Sequence, residues 1–305
     1  MPSTRSPEAA GAPPVRYRIH HTTRYLYGDE IQLSHHLAHL SPRAAPRQHV
    51  ITAALDIHPL PALLTRHRDF FGNEATYFEM HAPHGRLEIR STIEIEVTPP
   101  APIDPDAGPA WEAVRDALME AGDPDARAAA AFAFSSRFVP ALAELADYAA
   151  PSFVPGRPIA AALLDLTTRI HADFAFDTTA TTIATPILEV LKERRGVCQD
   201  FAHLAIGCLR AQGLAARYVS GYLRTLPPPG KPRLVGADFS HAWLSAWCGG
   251  DFWLDLDPTN GRPGSADMIA IAWGRDYDDV SPVRGTFLGT RHQKLTVEVD
   301  VEPVG

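Results

Sequence analysis

A cysteine in this chain stands where a glycine turn meets a helical pattern. Cys198 follows Gly196 and Val197 and opens the run CQDFAHLAIGCLRAQGL, whose apolar residues recur at helical spacing. The first turn of a helix offers free backbone N–H groups and a partial positive charge, and both favour an anion. The thiolate is the nucleophilic form of cysteine, and the same N–H groups can receive the oxyanion that forms when sulfur attacks a carbonyl. This position therefore predicts a nucleophilic cysteine.

A thiolate nucleophile works best beside a base that a third group orients. His241 begins a strand-like run, SHAWLSAW, and Asp257 ends the next one, FWLDLDPTN. The pair Gly249-Gly250 joins the two runs, so we expect an antiparallel hairpin with His241 and Asp257 at neighbouring ends. Asp255 lies on the same strand face as Asp257, because strand side chains repeat every two residues, and it is the alternative orienter.

Further residues are candidates for supporting the site or lining its pocket. Gln199 and Asp200 directly follow the cysteine, and Trp243 lies two residues after the histidine. The tryptophans of the two strands are predicted to be core or cleft wall rather than a platform for a cofactor. His203 lies about 140° around the helix from Cys198, which favours a core or supporting role over a catalytic one.

Two polar clusters elsewhere resemble metal sites only superficially. The three histidines of residues 35–39 have no carboxylate or cysteine at ligand spacing. The three aspartates of residues 276–279 lack the glycine and the terminal glutamate of a calcium loop, and we expect Arg275 and Tyr277 beside them to shape a pocket edge. Glycine-rich phosphate loops are missing from the sequence as well. The sequence predicts neither a metal nor a cofactor.

Composition narrows the class of protein. The 305 residues are 45% hydrophobic, and 28 Lys+Arg against 36 Asp+Glu give a formal charge of −8 with no basic block, which argues against nucleic acid. No apolar run approaches the roughly 18 residues of a membrane span. The three cysteines form no CxxC motif, and a reducing cytoplasm is the expected compartment. Cys208 and Cys248 are predicted to be buried and to act as small hydrophobic residues.

The elements that must position these residues follow from hydrophobic periodicity. Residues 15–100 alternate apolar and polar side chains, most clearly in LEIRSTIEIEV, which predicts an N-terminal antiparallel β domain. Residues 101–157 begin with a proline-rich linker and continue in alanine-rich helical patterns, one of them over residues 124–137. Residues 158–290 hold helices and then strands, and residues 291–305 alternate again as an edge strand. Residues 1–14 are predicted to be a disordered tail.

Several segments together resemble one known family. GVCQDFAHL, ARYVSGYL, SHAWLSAW and FWLDLDPTN, in the order Cys, His, Asp, are similar to the transglutaminase-like superfamily of papain-type thiol enzymes. YRIHHTTRYLY, SHHLAHLSPR and DFFGN resemble the N-terminal β domain that its bacterial, cysteine protease-like branch carries. WGRDYDDVSPVRG resembles the segment that follows the triad in that branch. The resemblance covers nearly the whole chain except the tail and the linker region.

The resemblance implies an α+β fold: the N-terminal antiparallel β domain precedes a papain-like transglutaminase core, in which the cysteine-bearing helix packs on an antiparallel sheet. It also implies that Cys198 is the nucleophile, His241 the base and then the acid, and Asp257 the orienter. One position departs from the pattern. Animal transglutaminases carry tryptophan directly after the nucleophile, whereas Gln199 stands here. Protein cross-linking therefore does not carry over from the resemblance.

The function predicted from these residues is thiol-dependent amide hydrolysis, as in a peptidase or amidase, through an acyl-enzyme on Cys198. An acyltransferase with the same triad and an amine acceptor is the alternative. A third possibility, a binding module that keeps the fold without catalysis, is disfavoured because such a module has no chemical need for three intact triad positions.

The expected partner is a peptide or protein amide substrate, with an amine acceptor in the transferase alternative. We expect no nucleic acid, no membrane contact and a cytoplasmic location. The identity of the substrate, the role of the β domain and the oligomeric state stay open at this point.

Overall fold

A computed structural model of the chain describes residues 12–225, 239–289 and 292–304. Residues 1–11, most of the predicted tail, lie outside the described residues. The first half of the chain holds β1 Val15–Ile31, β2 Leu33–Ala38, β3 Gln48–His58, β4 Leu63–Arg68, β5 Glu74–Met80, β6 His84–Val97, α1 Trp111–Glu120, α2 Pro124–Ala130 and α3 Ala143–Ala149.

The second half holds the elements around the candidate triad. They are α4 Ile159–Asp173, β7 Ala175–Phe176, α5 Ile187–Glu193, β8 Arg195–Gly196, α6 Cys198–Ala211, β9 Ala216–Leu223, β10 Phe239–Trp247, β11 Trp253–Asp257, β12 Arg262–Pro263, β13 Met268–Gly274, α7 Tyr277–Val280, β14 Val283–Leu288 and β15 Gln293–Pro303. Antiparallel strands precede a mixed helical and antiparallel core, so the predicted α+β class is confirmed.

Two four-stranded antiparallel sheets make up the N-terminal part, in the orders β15-β1-β6-β3 and β14-β2-β5-β4. The apolar positions of β6 are buried as predicted, and most residues between them are partly or fully exposed, but Glu88 and Ser91 are buried as well. Side chains from both sheets, including Leu55, Phe78 and Leu87, share one hydrophobic cluster. The two sheets therefore form a sandwich that closes over its own core.

The chain returns to this sandwich at its end. Strand β14 pairs with β2, and β15 pairs with β1 along the whole register from Tyr17↔Pro303 to Tyr27↔Gln293. The core predicted for residues 158–290 thus ends earlier, since residues 283–288 belong to an N-terminal sheet. The reason is a pairing between segments that are distant in sequence, which a local pattern does not reveal.

The helical segment differs from its prediction at one point. Helix α2 begins as expected, with Pro124 in its first turn and the Asp123 carboxylate accepting a hydrogen bond from the Ala126 N–H at 2.8 Å. It ends at residue 130 rather than 137. The Phe132 carbonyl accepts instead from the Arg210 side chain at 2.9 Å and from the Ala216 N–H at 3.3 Å, so tertiary partners replace the helical bond there.

The core is a five-stranded antiparallel sheet in the order β12-β11-β10-β9-β13, with α6 packed on β9 and β10. The predicted hairpin is present: β10 and β11 pair from Leu244↔Leu256 to Trp247↔Trp253, and Gly249 and Gly250 both adopt positive φ in the turn. Leu204, Leu209 and Leu244 are buried between α6 and the sheet. The helix that carries Cys198 is thereby fixed against the strand that carries His241.

The sandwich and the core share a hydrophobic cluster. Tyr17, Ile19 and Ile95 of the sandwich pack against Tyr222 and Ile269 of the core sheet. The Gln48 side chain adds two hydrogen bonds to the backbone of β13, one to the Ala270 carbonyl at 2.7 Å and one from its N–H at 2.9 Å. The N-terminal sandwich therefore packs directly against the core sheet, through this cluster and the Gln48 hydrogen bonds.

In the described part of the chain, no helix has both the length and the apolar character needed to cross a membrane. The cytoplasmic location stays a prediction.

A glycine beside the candidate base generates the first test. Gly221 pairs with His241 across the sheet, and a Cβ there would stand 2.2 Å from the Ile269 carbonyl and 2.5 Å from the Trp243 ring. We expect Gly221→Ala to lower the free energy of unfolding by about 1–3 kcal/mol, because the close packing leaves no room for a methyl group. Urea unfolding followed by tryptophan fluorescence measures the change.

Gly85→Ala is the matched control, since nothing lies within 4 Å of a Cβ at that strand position. Its effect should stay within about 0.5 kcal/mol. Equal unfolding free energies for the two variants would contradict the packing described here.

Candidate active site

The position of Cys198 depends on a tight turn at Gly196, where the Asp200 carboxylate packs against the backbone. The Val197 N–H donates to the Asp200 carboxylate at 2.8 Å, which ties the residue before α6 to its first turn. A Cβ on Gly196 would stand 2.6 Å from the same carboxylate oxygen. The glycine of the GVCQD run is therefore required for the carboxylate to approach, and the carboxylate fixes where the helix begins.

Asp200 has a second partner that the sequence did not indicate. The Thr181 hydroxyl donates to the same Oδ2 atom at 2.6 Å. Burial raises the pKa of Asp200, while these two hydrogen bonds act in the opposite direction. Asp200 thus supports the site through the backbone beneath Cys198, and Gln199, the other flanking candidate, is half-buried beside it.

His241 and Asp257 meet as the hairpin predicted. The imidazole Nε2 lies 2.9 Å from the Asp257 Oδ2, and the two side chains are 8% and 0% exposed. Burial by itself would lower the pKa of His241, but the hydrogen bonds with Asp257 and Cys198, together with their charges, outweigh it and raise the pKa to about 9. A buried imidazole held beside a carboxylate is thus biased towards its protonated form.

Asp257 is held by the turn that follows it. Its carboxylate accepts from the Asn260 side chain at 2.6 Å and from the backbone N–H groups of Thr259 and Asn260 at 3.1 and 3.3 Å. Burial would raise the pKa of Asp257, but the hydrogen bonds from His241 and Asn260 lower it below its usual range. Sequence reasoning missed Asn260, although an Asp followed by Pro-Thr-Asn is a typical signal of such an Asx turn.

Cys198 lies on the other side of the imidazole. The interaction with Cys198 contributes to the raised pKa of His241. Because Asp257 occupies Nε2, Nδ1 is the ring nitrogen left to face the thiol. Cys198 is partly accessible, whereas Cys208 and Cys248 are buried. The three predicted catalytic side chains are therefore brought together by α6, β10 and β11.

The rival orienter, Asp255, is directed elsewhere. It forms an ion pair with Arg47 of the N-terminal domain at 2.7 Å, two residues before Asp257 on the same face of β11. Trp243 lies on the same face of β10 as His241 and stacks against it, with ring centroids 6.2 Å apart and planes inclined by 28°. The structure therefore places Asp257 on the imidazole, Trp243 beside it and Asp255 at the domain boundary.

The segment predicted as a pocket edge packs behind α6. Arg275 pairs with Asp279 at 2.9 Å, and the Tyr277 N–H donates to the Nε2 of His203 at 3.1 Å. Burial lowers the pKa of His203 to about 4, which keeps the ring neutral and able to accept that bond. This places His203 in a supporting position. The Tyr277 ring is also a neighbour of the Tyr218 ring, with centroids 6.4 Å apart.

Tyr218 is a residue near the site that sequence reasoning did not single out. It is 2% exposed on β9, its ring lies 5.0 Å from that of His203, and the pKa of its hydroxyl is raised by burial and then by the charge of Cys198. Its position on a strand of alternating residues carried no distinguishing signal, because only the packing of β9 under α6 brings it near the sulfur.

Among the described residues, no group of three or more His, Cys, Asp or Glu side chains is arranged so that it could hold a metal ion. The histidines at 35–39 have other contacts. The His35 ring lies 2.8 Å from the Tyr77 hydroxyl, His36 stacks on Phe78, and His39 bonds the Ser281 carbonyl. These side chains join β2 to its neighbours in the sandwich.

Comparison with known proteins yields matches over most of the chain. The family model of the bacterial transglutaminase-like N-terminal region matches residues 17–96, and that of the transglutaminase-like superfamily matches residues 153–258. An uncharacterized protein of Mycobacterium tuberculosis is 44% identical over 296 residues, covering 94% of this chain and 93% of that protein. A protein-glutamine gamma-glutamyltransferase of Pseudomonas aeruginosa is 36% identical over 88 residues, 28% of this chain and 11% of that protein.

A solved structure shares the fold. The crystal structure of a putative cysteine protease from Cytophaga hutchinsonii superposes with a TM-score of 0.76 and covers 96% of this chain and 92% of that chain. At 20% identity the likeness shows the arrangement of the chain. The two family-model matches confirm the family resemblance read from the sequence.

The difference in burial among the three thiols predicts selective alkylation. We expect iodoacetamide at pH 7 to label Cys198 alone, because burial raises the pKa of Cys208 and of Cys248 to about 12. His241→Ala should slow labelling about tenfold or more by removing the group that accepts the thiol proton. Mass spectrometry of tryptic peptides measures both effects.

His20→Ala, at an exposed position on β1, is the control and should leave the labelling rate unchanged. Labelling of all three cysteines at similar rates, or a rate that is indifferent to His241, would be incompatible with the geometry described.

The different partners of Asp257 and Asp255 predict different effects of their substitution on the pKa of His241. Imidazole proton resonances of His241 should titrate with a pKa of about 9. Asp257→Asn should lower that pKa by about one unit or more, because burial then acts with less opposition. Asp255→Asn should leave it unchanged, since that carboxylate pairs with Arg47. A larger shift from Asp255→Asn than from Asp257→Asn would reverse the assignment of the orienter.

Proposed function

The chain belongs to the transglutaminase-like superfamily, and from that premise we propose that it is a thiol-dependent amide hydrolase, a peptidase or amidase acting through Cys198, His241 and Asp257. The observation that supports it most is the buried 2.9 Å contact between His241 and Asp257, together with the position of Cys198 as the first residue of α6, where it interacts with the same imidazole. The substrate we propose is a peptide or protein amide.

In the first half-reaction, the Cys198 thiolate attacks the amide carbonyl carbon. The new C–S bond forms as the carbonyl π electrons move onto oxygen, and the free N–H groups of the first turn of α6 stabilise that oxyanion. The intermediate collapses as the C–N bond breaks. The proton on His241 Nδ1 moves to the departing amine, which leaves a thioester between Cys198 and the acyl group.

In the second half-reaction, His241 acts as the base. It takes a proton from water as the water oxygen attacks the thioester carbonyl, and the C–S bond then breaks to release a carboxylic acid and the Cys198 thiolate. Asp257 keeps its hydrogen bond to Nε2 throughout, so Nδ1 stays directed at the reacting atoms. The raised pKa of His241 suits the acid step because the imidazolium is the form that protonates the amine.

An acyltransferase is the second candidate. The same thioester reacts with an amine in place of water, which forms a new amide rather than an acid. The match over 88 residues to a protein-glutamine gamma-glutamyltransferase favours it, and Gln199 in the position of the tryptophan of animal transglutaminases disfavours it. Incubating the protein with a peptide amide, water and a labelled primary amine and weighing the products by mass spectrometry distinguishes the two reactions.

The proposed reaction requires the Cys198 sulfur. Cys198→Ala should lower kcat/KM on any substrate found in a peptide library by about 10³-fold or more, with the circular dichroism spectrum unchanged. Hydroxylamine should trap the thioester in the parent protein only. For the parent, kcat/KM should fall as the pH rises through about 9, where His241 loses the proton that it gives to the leaving amine.

Cys248→Ala is the matched control, because its sulfur is buried outside the triad, and it should keep its turnover. Turnover that survives Cys198→Ala would place the activity elsewhere, and hydroxylamine trapping in that variant would refute the acyl-enzyme.

A further inference from the structure

A cavity of about 560 Å³ lies between the N-terminal domain and the core sheet. One side is the loop 43–48 that joins β2 to β3, and the other is formed by residues of β9, β10, β11 and β13. Its volume is typical of a site for a small molecule. None of the three triad residues lines it, so it is separate from the reacting atoms.

Three residues that line this cavity carry a buried hydrogen-bond donor without an acceptor. The Nε atoms of Arg43 and Arg217 and the Nε1 atom of Trp243 have almost no accessible surface and no partner in the described part of the chain. All three are N–H donors and none can accept. Buried donors are ordinarily paired, so the wall that these three residues form has more donors than acceptors.

The two arginines carry charge that the protein does not neutralise locally. Within the described residues, no carboxylate lies at ion-pair distance from either guanidinium, and the nearest polar contact of Arg217 is the Ser245 hydroxyl at 3.4 Å. Burial lowers the pKa of Arg43 to about 9, and repulsion from Arg217 adds to the shift. An anion bound at the N–H edge of either guanidinium would relieve both effects.

Tryptophan rings fix the orientation of these guanidiniums. The Arg217 Cζ lies 4.2 Å from the centre of the Trp253 ring and 3.7 Å from that of Trp273, and the Arg43 Cζ lies 3.1 Å from the Trp273 ring. Because aromatic rings cover the flat faces, a ligand can approach these guanidiniums at their N–H edges. On Arg43 part of that edge is already used, since one terminal N–H group donates to the Phe71 carbonyl at 3.0 Å and to the Asn73 side-chain oxygen. An N–H edge of this kind matches the two oxygens of a carboxylate.

The walls and the net charge define the ligand further. Three arginines and two aspartates line the cavity, which gives a formal charge of +1, and Arg47 is already paired with Asp255. Apart from Gln48, the other lining residues are apolar and include Val219, Met268 and Trp243. We propose that this cavity is a binding site for a small monoanion in which a carboxylate is attached to a flat apolar body.

Calorimetric titration of the full chain with 2-naphthoate tests the site, and 2-naphthamide of the same shape serves as the neutral probe. We expect the carboxylate to bind one site per chain. The affinity of the amide should be lower by about tenfold or more. Arg217→Met should weaken naphthoate binding about tenfold or more. Arg115→Met is the matched control, because Arg115 also lies over a tryptophan ring, Trp111, but outside the cavity.

If Arg217→Met does not fold, Trp243→Phe replaces it, since that change removes one of the unpaired donors and should also weaken naphthoate binding. Equal binding of the two probes, unchanged affinity in the folded Arg217 or Trp243 variant, or preferential binding of inorganic phosphate would overturn the proposal. So would a crystal structure at saturating naphthoate with only water in the cavity. Cys198→Ala should bind naphthoate with unchanged affinity, which keeps this test independent of the proposed reaction.

Discussion

The buried contact between His241 and Asp257 is the interaction on which the arrangement of the site depends. It joins the start of β10 to the end of β11, and it can form only because the glycine turn between those strands sets their register. Asn260 holds the carboxylate from the far side, and Asp200 fixes the helix start that presents Cys198. These hydrogen bonds hold the Asp257 carboxylate and the first turn of α6 in place. The sulfur, the ring and the carboxylate are therefore positioned before any substrate binds.

The same contact links protonation to stability. The pKa of His241 is raised, so its contribution to the free energy of unfolding is present in full below the unfolded value near 6.5 and is lost as the pH rises through about 9. The pKa of Asp257 is lowered, so its contribution is present above the unfolded value near 3.8 and is lost as the pH falls through the folded pKa. Between those limits the pair stabilises the fold in the protonation state that the proposed acid step uses.

The N-terminal sandwich is joined to the core sheet by both apolar packing and hydrogen bonds. It shares a hydrophobic cluster with the core sheet, and Gln48 bonds the backbone of β13. Asn73 does the same, because its side chain accepts from the Trp273 N–H at 2.9 Å and donates to the Trp273 carbonyl at 2.9 Å. Trp273 in turn contacts Arg43 and Arg217 at the interdomain cavity. A change in how the sandwich sits would therefore reach the strands beside His241 through packed side chains.

Local pattern determined much of this protein: the alternation in β6, the helix that begins at Cys198, the glycine turn and the family resemblance all follow from neighbouring residues, because strand and helix periods are local properties. Tertiary structure decided the rest. Asp255 and Asp257 share a strand face, and only the position of Arg47, 208 residues away from Asp255 in sequence, directs one of them to the domain boundary. Pairing of β14 and β15 with the first strands likewise arises from contacts between distant segments, which no periodicity records. The same holds for the end of α2 at Ala130 and for the unpaired donors of Arg43, Arg217 and Trp243.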